Sequence, residues 1–320
     1  MNRFLCLTCA LAVLFLSACG GSKSTSETSP GAPAAAPTGA ATAEQVAEQM
    51  RGNVKCPATA STQRPAGAPV DDVTGVRPGI SWNEAANFVM CDNPLMVVAE
   101  NTSRGYNINT FGQHIRQGFD GTFAQPRVVK TGQQIMQDME QQEMQRGENA
   151  YIAPLQPGQS RYFVSTMGLP GQEQVLSVAR EEYYVDAKQP TVDSVKQALI
   201  AKYGNPTREN DGASTYLWWE YDPSGTQITQ ASPLAGQCSI NVSPDAATNL
   251  STACGVTVGA LIQASPANPG LAHSLAVNSQ NGAQDMAVLK STQDTLQNGD
   301  NARKANELND ASKNASKPTL

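Results

Sequence analysis

The chain of 320 residues has little of what catalysis usually requires. Its two histidines, His114 and His273, limit imidazole chemistry to these two positions. The patterns GxSxG, HExxH, GxxxxGK[ST] and GxGxxG are missing, which excludes the commoner hydrolase, metalloprotease and nucleotide-binding motifs. Glycosidases that use only carboxylates leave no such pattern. We therefore favour a protein that is not an enzyme, and a cell-envelope hydrolase is the weaker alternative.

Charge is also scarce, at 16% of the residues, and its sign is mildly acidic. The 22 basic and 28 acidic side chains leave a formal net charge of −6, with no basic run. Nucleic acids and anionic lipid headgroups attract basic surfaces, so neither suits this chain as an electrostatic partner. We expect no nucleic-acid partner.

The one long apolar run, from Phe4 to Leu16, follows Arg3 and is short for a membrane-spanning helix. It is typical of a signal peptide over residues 1–18. The stretch Leu16-Ser17-Ala18-Cys19 resembles the lipobox of bacterial lipoproteins. This resemblance implies lipidation of Cys19, with palmitate-type acyl chains, which anchors a protein without spanning the membrane. An ordinary secretory signal with an incidental Cys19 is the alternative.

The residues after Cys19 bear on which membrane holds the anchor. Gly20 and Gly21 follow it, and no aspartate is present to indicate retention at the inner membrane. By resemblance to sorted lipoproteins, we expect an outer-membrane protein that faces the periplasm, with the inner membrane as the alternative.

Four cysteines remain beyond the lipobox, and none of them belongs to a CxxC pair. With only two histidines available, this spacing disfavours a metal site, and we expect no metal and no cofactor. In an oxidising compartment an even number of cysteines indicates disulfides. Because each pair closes a local loop, we predict Cys56–Cys91 and Cys238–Cys254, whereas a crossed pair such as Cys56–Cys254 stays open as an alternative.

Composition divides the mature chain into three parts. Residues 19–43 are rich in Ala, Pro, Gly, Ser and Thr, which predicts a flexible tether. Residues 44–290 carry the periodic patterns of an α+β region, with 44–150 and 151–290 as candidate sub-units. Residues 291–320 are polar and repetitive, which predicts a largely disordered tail with at most a partial helix.

The fold class follows from caps and alternation. Ser81 with Glu84 predicts the start of one helix, and Thr191 with Gly204 predicts the two ends of another. Stretches rich in β-branched and aromatic residues predict strands. These are residues 95–99, 161–167, 175–185, 216–221, 238–242, 254–263 and 271–277. We predict an antiparallel sheet with a few packed helices, arranged as two similar α+β units after the tether.

Two stretches offer candidate binding residues. The strand at 216–221 carries Tyr216, Trp218, Trp219 and Tyr221 on both faces, which indicates a covered strand or, alternatively, a surface that stacks a ligand or contacts a partner. Gly132–Gln145 carries Ile135, Met136, Met139 and Met144. That spacing predicts the core face of an amphipathic helix, and a copper(I) site is the weaker alternative.

Two capped helices carry a further resemblance. Gly79-Ile80-Ser81 opens the first, and Gly204-Asn205-Pro206-Thr207 closes the second ahead of an aromatic strand. This layout resembles the small lipoprotein of the outer-membrane β-barrel assembly machinery, although the second helix lacks the Gly-Ile/Met-Ser opening. The resemblance implies α+β units on an envelope lipoprotein that binds another envelope protein. A small-molecule or glycan-binding protein that uses the Trp218/Trp219 strand is the alternative.

Overall fold

The fold is α+β, as the sequence predicts. A computed structural model describes residues 39–101, 106–145, 155–242 and 250–316, and these form one eight-stranded antiparallel sheet with five helices. The predicted signal peptide, Cys19 and the tether up to residue 38 lie outside the described residues. Residues 39–320 form one compact unit.

The elements follow one another in a simple order. The helices are α1 (Ala43–Arg51), α2 (Trp82–Asp92), α3 (Gly132–Gln145), α4 (Val192–Tyr203) and α5 (Gly282–Asn314). The strands are β1 (Met96–Glu100), β2 (Gly118–Phe123), β3 (Ser160–Met167), β4 (Gln174–Tyr183), β5 (Arg208–Asn210), β6 (Ser214–Glu220), β7 (Val256–Ser265) and β8 (Asn268–Asn281).

The sheet consists of two similar halves that meet at its centre. Its strand order is β1-β2-β3-β4-β8-β7-β6-β5, and every neighbouring pair is antiparallel. Each half is a helix followed by a four-stranded meander: α2 with β1 to β4, and α4 with β5 to β8. The longest connection of each half lies between its second and third strands.

The boundary between the halves differs from the predicted one. A division at residue 150 falls between β2 and β3, which pair through Gly118↔Ser165 and its neighbours. The repeat instead changes over between β4 and α4, at residues 184–191. The composition of the long β2–β3 connection stands out more than that of the short β4–α4 connection. Composition therefore predicted the boundary between the halves at the wrong connection.

Helices α2 and α4 supply apolar residues to the same core cluster. Ala85 and Val89 of α2 and Leu199 of α4 join it with inward residues of β3, β6 and β7. The predicted caps are present: the Ser81 hydroxyl accepts from the Glu84 amide, and the Thr191 hydroxyl accepts from the Ser194 amide. Each cap fixes the start of a helix whose apolar stripe then faces the sheet.

Helix α4 has the ends that Thr191 and Gly204 predict, and the strands beneath it are those of the sheet centre. It lies chiefly over β8 and β7, and not over the Tyr216–Tyr221 stretch. Only its last turn reaches that stretch, where the Tyr203 ring lies 5.2 Å from the Trp219 ring. The apolar residues of α4 indicate that one face of the helix is buried, but they do not indicate which strands lie beneath that face.

Both predicted disulfides are present, Cys56–Cys91 and Cys238–Cys254. They close loops with sequence separations of 35 and 16 residues, which contribute roughly 3–4 kcal/mol each in the chain-entropy account. The predicted strand at Cys238–Val242 is absent, since these residues lie in the long β6–β7 connection. The strand predicted at 271–277 lies within β8.

The prediction of a disordered tail is wrong for most of residues 291–320, because residues 282–314 form α5. Leu296 and Thr292 are buried, and Leu296 joins Met167 and Leu176 in a second cluster. Within the predicted tail, Leu296 and Leu308 stand twelve residues apart among polar residues and give no helical stripe, and Val288 and Leu289 of the same cluster precede the tail. Composition alone therefore could not reveal this contact. Beyond Asp300 every described residue of α5 is exposed.

Two leucines on α5 test this account of the tail. Leu296 is 1% exposed and Leu308 is 72% exposed, so the same substitution removes a packed side chain in one case only. We expect Leu296→Ala to lower the free energy of unfolding by about 2–5 kcal/mol. We expect Leu308→Ala to change it by less than about 0.5 kcal/mol. Urea unfolding followed by circular dichroism measures both, and equal effects would contradict the docked helix.

Candidate interaction surface

Two of the four predicted aromatic surface residues belong to the core. Trp219 is fully buried against Tyr203, and its indole Nε1 donates to the Gly204 carbonyl at 2.8 Å. Tyr221 packs against the same core, and burial raises its pKa. The prediction that Trp219 contributes to a binding surface is therefore wrong, since the end of α4 covers this side chain and leaves it no access to solvent.

The other two aromatic residues lie on the opposite face of β6. Their rings stack with centroids 5.5 Å apart, and the Arg208 guanidinium lies 4.0 Å from the Trp218 ring centre. Trp218 also donates from Nε1 to the Ile240 carbonyl at 3.2 Å, which ties the β6–β7 connection to the sheet. Trp218 therefore has structural partners, and both Tyr216 and Trp218 are half-buried.

The two histidines and the adjacent carboxylates Glu181 and Glu182 do not form a common site. His114 is exposed and lies 3.0 Å from a Glu100 oxygen, whereas His273 packs beside the Tyr183 ring. Glu181 and Glu182 pair with Arg161 and Arg180, from opposite faces of β4 as the alternation predicts. The described residues contain no group of three or more His, Cys, Asp or Glu that could hold a metal ion.

A polar cluster under the helices was not predicted from the sequence. The Arg180 Nε donates to the Tyr162 hydroxyl at 2.9 Å, and its Nη1 donates to Glu182 at 2.7 Å. Thr74 lies 2.8 Å from the same hydroxyl, and Asp92 lies 3.4 Å from Arg180. Burial raises the pKa of Tyr162. Because its members satisfy one another, this cluster stabilises the fold and does not resemble a reaction centre.

Asp285 is the most perturbed acid in the described residues. It lies in the first turn of α5, is fully buried, and neither carboxyl oxygen has a hydrogen-bond partner. Burial raises its pKa to about 8. The folded protein therefore holds this carboxyl in its neutral form near pH 7, which avoids an unpaired charge in the interior.

The main exposed apolar surface lies in the β2–β3 connection. Of eight large hydrophobic side chains that are exposed in the described residues, five fall in the twelve-residue stretch 128–139, which we call segment 128–139. They are Val128, Val129, Ile135, Met136 and Met139, with exposed fractions of 48–69%. The predicted core face of α3 is thus wrong for Ile135, Met136 and Met139. Nothing is described of the Met144 side chain.

The equivalent connection of the second half behaves in the opposite way. Ile228, Ile240 and Val242 lie between β6 and β7, yet their exposed fractions are only 3–6%. Ile240 and Val242 cover Gly259 of β7, and the Cys238–Cys254 disulfide closes this connection. A folded-back connection is therefore compatible with this architecture. The exposure of segment 128–139 distinguishes the first half from the second.

Segment 128–139 begins where the N-terminal stretch joins the sheet. Ala41 and Arg127 exchange two backbone hydrogen bonds, at 3.0 and 2.8 Å, and Val128 follows directly. The N-terminal stretch continues into α1, whose Val46 and Ala47 pack with Val97 and other residues at the β1 edge. The chain that leads back toward Cys19 and the exposed segment therefore leave the sheet at one corner.

Comparison with protein-family models, with curated proteins and with solved structures finds no match for this chain. Among the helices that the structure describes, none combines the length and the apolar character that crossing a bilayer requires.

The buried carboxyl predicts a distinctive pH dependence. The unfolded chain releases the Asp285 proton near its ordinary pKa of 3.8, whereas the folded chain keeps it until about pH 8. Stability that is fully present below about pH 4 is therefore lost as the pH rises toward 8, by at most about 1.4 kcal/mol per pH unit. Asp285→Asn, which stays neutral, should remove this slope in urea unfolding measured from pH 4.5 to 8.5.

A matched control is available on the same helix. Asp294 is exposed and pairs with Lys290 four residues earlier. Asp294→Asn should leave the slope unchanged. A wild-type protein whose stability does not fall over this pH range, or an Asp285→Asn variant with the wild-type slope, contradicts a neutral buried carboxyl.

Proposed function

We propose that this protein is a non-catalytic lipoprotein, anchored through Cys19 at the periplasmic face of the outer membrane, that binds another envelope protein. The observation that carries the proposal is the concentration of exposed apolar side chains in segment 128–139. The lipobox resemblance supplies the anchor, and the segment supplies the binding surface.

The chemistry of segment 128–139 favours a protein over a lipid surface. Helices that lie on membranes typically carry Lys and Arg on the polar face and large aromatic or leucine side chains on the other. The α3 sequence has no Lys or Arg, and its polar residues are mainly glutamines. Ile135, Met136 and Met139 lie within about 100° of one another around the helix, as in a helix that enters an apolar groove. Methionine adapts readily to such grooves.

The layout of the two halves gives further support. Each is a helix followed by antiparallel strands, which is the arrangement for which the sequence resembles the small lipoprotein of the β-barrel assembly machinery. A binding role in an envelope assembly is consistent with that resemblance.

The alternative of a small-molecule or glycan-binding protein has weaker support. The predicted binding surface contains both Trp218 and Trp219, but these side chains lie on opposite faces of β6. On the other face Tyr216 and Trp218 stack on each other and are both half-buried, which leaves only part of each ring accessible. A cell-envelope hydrolase gains no support from the carboxylates, since Glu182 and Asp92 are engaged with Arg180.

Photo-crosslinking in intact envelopes tests the proposal. A photoreactive amino acid at position 136 should give one discrete protein adduct, and the same probe at Met50 should not. Met50 is a matched control because it is 49% exposed on α1, outside the segment. With the probe at 136, Ile135→Gln combined with Met139→Gln should reduce the adduct at least tenfold, because both anchors become polar.

Stability controls separate binding from folding in that experiment. Because both side chains are exposed, the double variant should unfold at the wild-type urea midpoint. Equal crosslinking from positions 50 and 136, or an adduct that persists in the double variant, would reject segment 128–139 as the binding surface.

A further inference from the structure

Segment 128–139 begins at the junction between the N-terminal stretch and the sheet. Besides the paired backbones of Ala41 and Arg127, the Arg127 side chain donates to Gln49 of α1 at 3.3 Å. One terminal nitrogen of Arg51, which has two hydrogens to donate, lies 2.7–3.1 Å from four backbone carbonyls at the end of α2 and the start of β1. The fold therefore fixes α1, and with it the exit of the N-terminal stretch.

Chain length limits how far this corner can lie from an anchored Cys19. Gly39 lies 20 residues after Cys19, and a fully extended chain spans at most about 3.5 Å per residue. Gly39 is therefore within about 70 Å of Cys19, and the corner at Ala41, two residues further on, is within about 77 Å of it. Val128 follows that corner directly, and Met139 is eleven residues further along the chain.

The size of the segment limits how tightly it can bind alone. Stable protein interfaces typically involve about 20–30 residues on each side. Segment 128–139 has twelve residues and exposes five large apolar side chains. By size alone, an interface made by this segment falls in the class of weak, transient interfaces. A second attachment compensates for low affinity only when both attachments are to the same body, because the second contact then forms at high effective concentration.

We propose that the partner of segment 128–139 is a protein embedded in the same membrane that holds Cys19, with an apolar groove on its periplasmic side within reach of the anchor. A partner that diffuses in the periplasm gains nothing from the lipid anchor, whereas an embedded partner is brought to the segment by it. This inference rests on the proposed function, since it requires both the lipidated Cys19 and the binding segment.

A cleavable N-terminal stretch distinguishes the two classes of partner. A protease site inserted between residues 20 and 39 of the full chain allows the folded part to be separated from its lipid after crosslinking at position 136. Cleavage and a high-salt wash should release the uncrosslinked protein. The protein adduct should stay in the membrane pellet, because the embedded partner holds it there.

Each failure in this experiment has a different meaning. An N-terminal peptide without acyl mass on Cys19 rejects the anchor, and the absence of any adduct at position 136 rejects the binding segment, so either result rejects the proposed function. An adduct that is released by cleavage shows a partner that is not embedded and overturns this inference alone. Crosslinking to lipid instead of protein also overturns it.

Discussion

The pairing of β4 with β8 is the interaction on which the rest of the structure depends. These strands come from different halves, and they pair over seven residues, from Ser177↔Gln280 to Tyr183↔Ser274. Each half alone is a four-stranded meander with one helix, which leaves an open edge at its last strand. Pairing closes both edges at once and joins the apolar faces under α2 and α4 into one core.

The symmetry of the halves makes their difference informative. In both, the long connection leaves the second strand and returns to the third. In the second half this connection is folded onto the sheet, held by a disulfide and by the Trp218 hydrogen bond to Ile240. In the first half, segment 128–139 exposes its apolar side chains beside the corner where Ala41 meets Arg127. One arrangement thus supports the fold, and the other leaves an exposed apolar surface beside the N-terminal stretch.

Local patterns in the sequence predicted local features well. The caps at Ser81 and Thr191 and the β3–β4 strands depend on neighbours in the chain, and they are present. Both disulfides are also present, and each joins the two cysteines that lie nearest in sequence. Features that depend on contacts between residues far apart in the sequence could not be predicted from local patterns. The spacing of Ile135, Met136 and Met139 is the same for a buried and for an exposed helix face. Leu296 gives no stripe, and the environment of Asp285 arises only when α5 docks. The buried position of Trp219 likewise required knowing that the α4 side of β6 is covered.

Amide hydrogen exchange tests the central claim, which is that a single sheet, joined at β4 and β8, holds both halves together. Native-state exchange reports the free energy of each opening reaction. If the account is right, amides of β4 and β8 near Ala179 and Asn278 exchange only by global unfolding, and protected amides of both halves share that free energy. Amides of one half that exchange through a lower-energy opening, while those of the other stay protected, would show two independent domains and contradict it.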